Sequence, residues 1–317
     1  MPAIRENSCG AVISGWGTAL PDRVVTNHEL ATTLDTSDEW IRTRTGIHER
    51  RIGGTTAELA TAAGRQALEM AGLDPSRIDA LVLATTTPDL QWGTSSIVQE
   101  ALGLSCGAFD LNAACSGFVY GLVNAHGLIA MGAERVLVIG AETLSRITDW
   151  NDRATAPLFA DGAGAVVLES VPTGGALVSW DLAADGSLIN ILHAEVGGTI
   201  QMEGKEVFRR AVRIMVESAE SSLTAAGLTA DDIALVVPHQ ANIRIIEAAC
   251  ERLHIPLDRA AVVIHRTGNT SSASIPIALA DALDSGKVQN GDHVLLVGFG
   301  GGMTAASCVL RWGGSAE

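Results

Sequence analysis

Val136-Leu137-Val138-Ile139-Gly140 and Val294-Leu295-Leu296-Val297-Gly298 are two versions of one pattern, offset by 158 residues (136 to 294). Each is an unbroken apolar run closed by glycine, which predicts a central strand buried on both faces. A second pair precedes them. Leu68, Ala71, Gly72, Leu73 and Ile78 recur as Leu223, Ala226, Gly227, Leu228 and Ile233, an offset of 155 (68 to 223). Both copies read as the end of an amphipathic helix, a glycine stop and an apolar strand, at 80–85 and 234–237. Between the pairs each half carries a helix rich in small residues, 115–131 and 272–283. Two ordered pairs at nearly constant offset predict a duplicated αβ architecture. No linker separates the copies. The pattern breaks at 170–175, so the expected halves are 1–172 and 173–317, packed as one body, sheet against sheet. Equivalent loops of the two halves then face each other near a pseudo-twofold axis.

Composition narrows the function. The chain has 317 residues and a formal net charge of −15, which argues against a broad nucleic-acid-binding surface. Hydrophobic residues at 47% supply a large core, and aromatics at 4% supply no stacking platform for single strands. The five cysteines, at 9, 106, 115, 250 and 308, form no C-x-x-C. Their odd number predicts free thiols in a reducing, cytoplasmic setting. The opening MPAIRENSCG lacks a basic stretch followed by an apolar one, so no signal peptide is expected. The longest apolar stretch, 117–133, carries Asn124 and His126 and reads as a buried helix rather than a membrane span.

Three polar residues stand where chemistry is favoured. Cys115 lies in Asn112-Ala113-Ala114-Cys115-Ser116-Gly117, between a predicted strand end and a predicted helix start. A free cysteine is usually a buried, inert one, as expected of Cys9, Cys106, Cys250 and Cys308. The strand-turn-helix setting of Cys115 resembles a nucleophile elbow, at a helix end that favours thiolate. His239 directly follows a strand of the second half, where Pro238 ends the strand. That is the ligand-binding end of a sheet. Asn269 falls in the turn that the repeat maps opposite Cys115, although Gly-Asn is also ordinary turn chemistry. Phe299-Gly300-Gly301-Gly302 follows the last strand and can present backbone N–H groups to a ligand or oxyanion. It matches neither dinucleotide nor Walker fingerprint. Asp161-Gly162-Ala163-Gly164-Ala165, its counterpart in the first half, reads as packing. No cluster has zinc spacing, so no metal is expected. Lys205, Arg209 and Arg213 share one face of a helix expected to start near Glu206, either as a solvated face or as a dock for an acidic partner.

In order and setting, Cys115, His239 and Asn269 resemble the Cys-His-Asn triad of the β-ketoacyl-acyl-carrier-protein synthase III family. The resemblance extends through Thr36-Ser37-Asp38-Glu39-Trp40-Ile41, Arg44-Thr45-Gly46-Ile47, residues 112–118, 161–165, 239–242, 268–271 and 299–302. It implies an α/β fold, the thiolase-like duplicated αβαβα layers. It implies a decarboxylative condensation of a short acyl-CoA primer with malonyl-acyl-carrier protein, initiating fatty-acid synthesis through an acyl-Cys115 intermediate. Acyl-CoA is then a substrate, and no cofactor is expected. By the same resemblance Gly301 completes an oxyanion hole. Thr36, Trp40, Arg44 and Arg153 hold the nucleotide end of CoA. Gly204, Phe208 and Asn242 wall the pantetheine tunnel. Lys205, Arg209, Arg213 and Arg244 dock the carrier protein, and Trp92 and Phe299 shape the acyl pocket. A homodimer without nucleic-acid or membrane partners is implied as well. Two departures stand out: Trp92 replaces a smaller aromatic residue, which suggests a short primer, and the segment 185–202 is shorter than usual. The alternative reading keeps the fold with another acyl acceptor, as a same-fold acyltransferase or a polyketide-type ketosynthase III.

Overall fold

The computed structural model describes residues 10–172 and 175–313; Cys9 lies outside them. In chain order the principal elements are β1 (Gly10–Ala19), α1 (Asp38–Thr45), α2 (Thr56–Ala71), β2 (Ala80–Ala84), β3 (Gly107–Leu111), α3 (Gly117–Ala130), β4 (Arg135–Thr143) and β5 (Asp161–Val171). The second set is β6 (Leu177–Ala183), α4 (Gly204–Ala226), β7 (Ile233–Pro238), α5 (Ile243–Arg252), α6 (Ser274–Asp284), β8 (His293–Gly300) and β9 (Thr304–Arg311).

One sheet has the order β1-β5-β4-β2-β3 and the other β7-β8-β9-β6. β2 pairs in parallel with β4, and β7 with β8. β4 pairs antiparallel with β5, and β8 with β9. Four strands of each sheet therefore correspond in order and sense. Among the described residues the second half has no full counterpart of β3. An isolated parallel bridge from Val236 to Ala260 stands at that edge.

The repeated apolar runs are explained by two-sided burial. Val136 and Val138 pack into the central layer, where α3 contributes Phe118 and Leu122 and α6 contributes Ile275 and Leu279. Leu137 and Ile139 point the other way, onto Leu59, Ala63 and Leu68 of α2. In the second sheet Val294 and Leu296 face the centre. Leu295 and Val297 face Met215 and Ala219 of α4 and Ile246 of α5. The result is five layers: helix, sheet, helix pair, sheet, helices. Each of these buried side chains contributes roughly 1.5–3 kcal/mol relative to exposure.

The predicted glycine stops are found: Gly72 caps α2 with φ 65° and Gly227 caps α4 with φ 67°. The central helices start later than expected. Short 3-10 turns, Ala114–Ser116 and Ser271–Ala273, precede them. The basic helix begins at Gly204 rather than near Glu206. Segment 185–202 is not plain loop but a 3-10 turn, Gly186–Ile191, and a two-residue hairpin, Leu192–His193 with Gln201–Met202. No helix among the described residues is long and apolar enough to cross a membrane.

Each half also receives the other half's turn. A Cβ at Gly140, the end of the first apolar run, would lie 2.4 Å from the Ser272 carbonyl oxygen. A Cβ at Gly300, at the end of β8, would lie 2.5 Å from the Cys115 nitrogen. Only glycine permits either approach.

Candidate active site

The turns carrying Cys115 and Asn269 adopt similar backbone conformations. Ala114 has φ 48° and Ser271 has φ 47°, a left-handed conformation that costs a residue with a Cβ about 1–2 kcal/mol. The surroundings hold both in place. Asn112 Oδ1 accepts the Ala114 N–H at 3.1 Å, and Thr304 Oγ1 donates to the Ala113 carbonyl at 3.0 Å. In the second half Asn269 Oδ1 accepts the Ser271 N–H at 2.9 Å. The Asn269 backbone is pinned to 158–160 by Asn269 N–H to the Leu158 carbonyl and Ala160 N–H to the Asn269 carbonyl, both 2.9 Å.

Cys115 is half-buried at the start of α3. Burial pushes its thiol up to about 12. The Ser271 hydroxyl and the N–H groups of Cys115 itself and Gly301 act against that rise, while the Glu142 charge adds to it. The resting side chain is therefore a thiol, surrounded by donors that become effective once sulfur or a bound carbonyl carries negative charge.

His239 is 1% exposed, and burial lowers its imidazole to about 3. It is neutral at physiological pH. Its Nδ1 lies 2.6 Å from Ser274 Oγ, at the first residue of α6. Ser274 Oγ also accepts the Gln240 N–H at 3.3 Å. Among the described residues no other acceptor takes the Ser274 hydroxyl proton, so this pattern assigns that proton to Nδ1 and leaves the imidazole hydrogen on Nε2. Phe299 packs edge-on against the ring, with centroids 5.6 Å apart. Gly298 lies between the residues, its built Cβ 3.5 Å from the Cys115 carbonyl oxygen and 3.6 Å from His239 Cβ. With Oδ1 of Asn269 engaged, the free end of that side chain is an amide N–H donor. The fold thus brings Cys115, His239, Gly301 and Phe299 together, and Asn269 opens the turn whose Ser271 acts on Cys115.

Sequence reasoning missed Glu142. It lies in β4, fully buried, and its partners are hydroxyls and an amide rather than a cation. Oε2 accepts from the Thr86 N–H at 3.0 Å, the Thr86 hydroxyl at 2.8 Å and the Thr87 hydroxyl at 2.7 Å. Oε1 accepts from Ser271 at 3.0 Å and Ser272 at 2.8 Å. The available signal was a carboxylate at the C-terminal end of an otherwise apolar strand, the end where ligand sites form.

The residues assigned to CoA form a separate chain of contacts. Arg153 stacks on Trp40, 4.4 Å from the ring centroid. Asn242 caps α5 and donates to the Arg44 carbonyl at 3.0 Å. Arg244 lies over the Phe208 ring at 5.4 Å. Gly204 opens α4. Thr36 precedes α1, and its buried hydroxyl has no hydrogen-bond partner. The basic face of α4 is partly neutralised by its own helix: Arg209 and Arg210 pair with Glu206, and Arg213 with Glu217. Among the described residues Lys205 and Arg244 have no carboxylate partner in ion-pair range. Trp92 does not reach this chain's own site; it is 92% exposed on a loop. Cys250 and Cys308 are buried as expected, whereas Cys106 is only half-buried. Asp161 acts in packing, accepting from the Gly53 N–H and from Ser145.

Comparison with known proteins places this geometry. Residues 109–186 match the family profile described as 3-oxoacyl-[acyl-carrier-protein (ACP)] synthase III. Residues 223–312 match the profile of its C-terminal part. The beta-ketoacyl-[acyl-carrier-protein] synthase III of Roseiflexus castenholzii is 49% identical, over 95% of this chain and 98% of that protein. Beta-ketoacyl-[acyl-carrier-protein] synthase III 1 of Bacillus anthracis is 48% identical, over 95% of this chain and 98% of that protein. The crystal structure of 3-oxoacyl-[acyl-carrier-protein] synthase III from Aquifex aeolicus superposes with a TM-score of 0.94 at 47% identity, covering 96% of this chain and 100% of that one. Sequence and backbone agree along nearly the whole length: the chain has the thiolase fold and belongs to the β-ketoacyl-acyl-carrier-protein synthase III family.

Proposed function

We propose that Cys115, His239 and Asn269 carry the decarboxylative condensation of an acyl-CoA primer with malonyl-acyl-carrier protein, the step that initiates fatty-acid synthesis. Cys115 attacks the acyl-CoA thioester and CoA leaves. The N–H groups of Cys115 and Gly301 stabilise the oxyanion. Malonyl-carrier then enters and loses CO₂, and the enolate oxygen is held by His239 Nε2–H and the Asn269 amide. The carbanion attacks acyl-Cys115 and releases 3-oxoacyl-carrier protein. No step requires a cofactor or a metal.

The observation that carries this reading is the state of His239. A neutral imidazole, beside an amide whose oxygen is already engaged, makes a donor pair suited to an enolate. A plain acyltransferase needs the thiol but not this pair, so the alternative acceptor is disfavoured.

The remaining assignments belong to the same proposal. Trp40 and Arg153, with Thr36 and Arg44, receive the nucleotide end of CoA, and Gly204, Phe208 and Asn242 line the pantetheine path. Lys205 and Arg244, with Arg209 and Arg213, meet the acidic carrier protein. The enzyme acts in the cytoplasm as a homodimer. In support, β3 is an edge strand whose Phe109 is 41% exposed, close in sequence to the loop of Trp92. A second copy covering this edge lets Trp92 help close the partner's acyl pocket around a short primer.

The test is intact-protein mass spectrometry after mixing with a panel of acyl-CoAs, followed by malonyl-carrier protein. The expected result is an acyl adduct on Cys115 that vanishes as 3-oxoacyl-carrier protein forms. An adduct that persists with malonyl-carrier but moves to another nucleophile would overturn the reading.

A further inference from the structure

The nucleophilic reading of Cys115 leaves one proton without an acceptor. At rest the side chain is a thiol, and its hydrogen must leave as sulfur attacks. His239 is poorly placed to take it: Nε2 already carries hydrogen, and Nδ1 is occupied by the Ser274 hydroxyl. The same arrangement that makes His239 a donor to an enolate prevents it from acting as the base.

Another path leads away from the sulfur. The Ser271 hydroxyl is near enough to the Cys115 side chain to resist the rise of its thiol, and it lies 3.0 Å from Glu142 Oε1. The left-handed backbone at Ser271 and the Asn269 Oδ1 bond to its N–H hold the turn that carries this hydroxyl. The turns on either side are in close contact: a Cβ at Gly117 would lie 3.4 Å from Ser272 Cβ. We infer that Glu142, reached through the Ser271 hydroxyl, accepts the Cys115 proton during acylation.

The step balances. The Sγ–H bond breaks and its proton passes to Ser271 Oγ. The hydrogen of Ser271 passes to Glu142 Oε1, and sulfur forms its bond to the thioester carbon. When the bond from that carbon to the CoA sulfur breaks, the proton returns along the same path to the departing thiolate. One negative charge moves from Glu142 to Cys115, so the two groups are never charged at the same time. The surroundings accept both states. Ser272 donates to Glu142 at 2.8 Å but also has the Ala84 carbonyl at 2.9 Å, so it can turn away when Oε1 is protonated. Burial holds the Glu142 carboxyl above its ordinary value, which makes it a better base. The titratable groups near this path are Cys115 and His239. Asp161, on the adjacent strand β5, directs its carboxylate to Gly53 and Ser145 instead.

The test isolates acylation. Full-length enzyme is mixed with acetyl-CoA, quenched at short times and weighed, from about pH 6 to pH 9. Ser271→Ala and Glu142→Gln are compared with wild type, each checked by thermal melting. The Ser271 variant deletes one hydroxyl and keeps the test valid if the Glu142 variant fails to fold. Acylation in the Ser271 and Glu142 variants should fall by about 10²-fold at neutral pH. The deficit should shrink as pH rises, because hydroxide then removes the thiol proton directly. Wild-type rates in Ser271→Ala, or a deficit unchanged with pH, would overturn the relay while leaving Cys115 as nucleophile. A wild-type enzyme that gains no acyl mass would overturn the nucleophile assignment itself.

Discussion

His239 Nδ1 and Ser274 Oγ are 2.6 Å apart, and that contact decides which face of the imidazole carries hydrogen. Removing the hydroxyl with Ser274→Ala frees the ring to hold its hydrogen on either nitrogen. Condensation with malonyl-carrier should slow by roughly ten-fold, less than the roughly 10²–10³-fold of an outright lost oxyanion donor, because the ring still carries its hydrogen on Nε2 part of the time. Acyl-enzyme formation should be nearly unchanged. Single-turnover measurement of the two half-reactions checks the split; equal loss in both would mean that Ser274 only supports packing.

Acid should expose the cost of burying His239 neutral. Its folded value is about 3 and its ordinary value is 6.5. Below 6.5 the unfolded chain takes up a proton that the folded chain refuses. Stability from this group is therefore complete above 6.5 and is lost as pH falls towards 3. In denaturant titrations across that window, His239→Asn should show a slope of stability against pH smaller by up to one proton. Parallel curves for the two proteins would refute the burial argument.

Trp40 and Arg153 stack in the unliganded protein. If adenine takes a place against this pair, Trp40→Ala should raise KM for acyl-CoA about ten-fold, in line with a desolvated cation–π contact, and leave kcat nearly unchanged. Steady-state kinetics with the carrier substrate saturating separates the two constants. A fall in kcat alone would place the CoA nucleotide elsewhere.

Carrier docking should rest unequally on the basic residues. Among the described residues Lys205 and Arg244 lack carboxylate partners, whereas Arg209 and Arg213 have Glu206 and Glu217 on their own helix. Charge removal at Lys205 and Arg244 together should raise KM for malonyl-carrier several-fold, and Arg209→Ala should do much less. The wild-type KM should also rise with ionic strength, because such contacts are screened within about 10 Å at 0.1 M salt. A KM independent of salt would remove the electrostatic dock.

The fold could be read from sequence where one physical cause shaped many residues. Two-sided burial made the runs 136–140 and 294–298 apolar throughout, and the helix stops needed glycine at Gly72 and Gly227. The candidate triad could be found because each member follows a strand or opens a turn. Glu142 was not found because its environment is assembled from Thr86, Thr87, Ser271 and Ser272, which lie far from it in sequence. The one local sign is a carboxylate closing an otherwise apolar strand, and the groups that explain it lie in other segments. The self-pairing of α4 was visible in the i, i+3 and i, i+4 spacing of Glu206, Arg209 and Arg210, but the alternation of Lys205, Arg209 and Arg213 drew attention to one sign of charge. The missing outer strand of the second sheet left no trace that periodicity could detect, since a single bridge at Ala260 needs no repeat.

The mutual insertion of the two turns has a consequence for timing. Gly300 and Gly301 come late in the chain, yet Cys115 depends on them for its close backbone contact and one of its donors. A growing polypeptide that has folded only its first half presents an ordinary cysteine. Assembly therefore finishes where it matters locally: the donor set around Cys115 is complete only when the last two strands have been laid down.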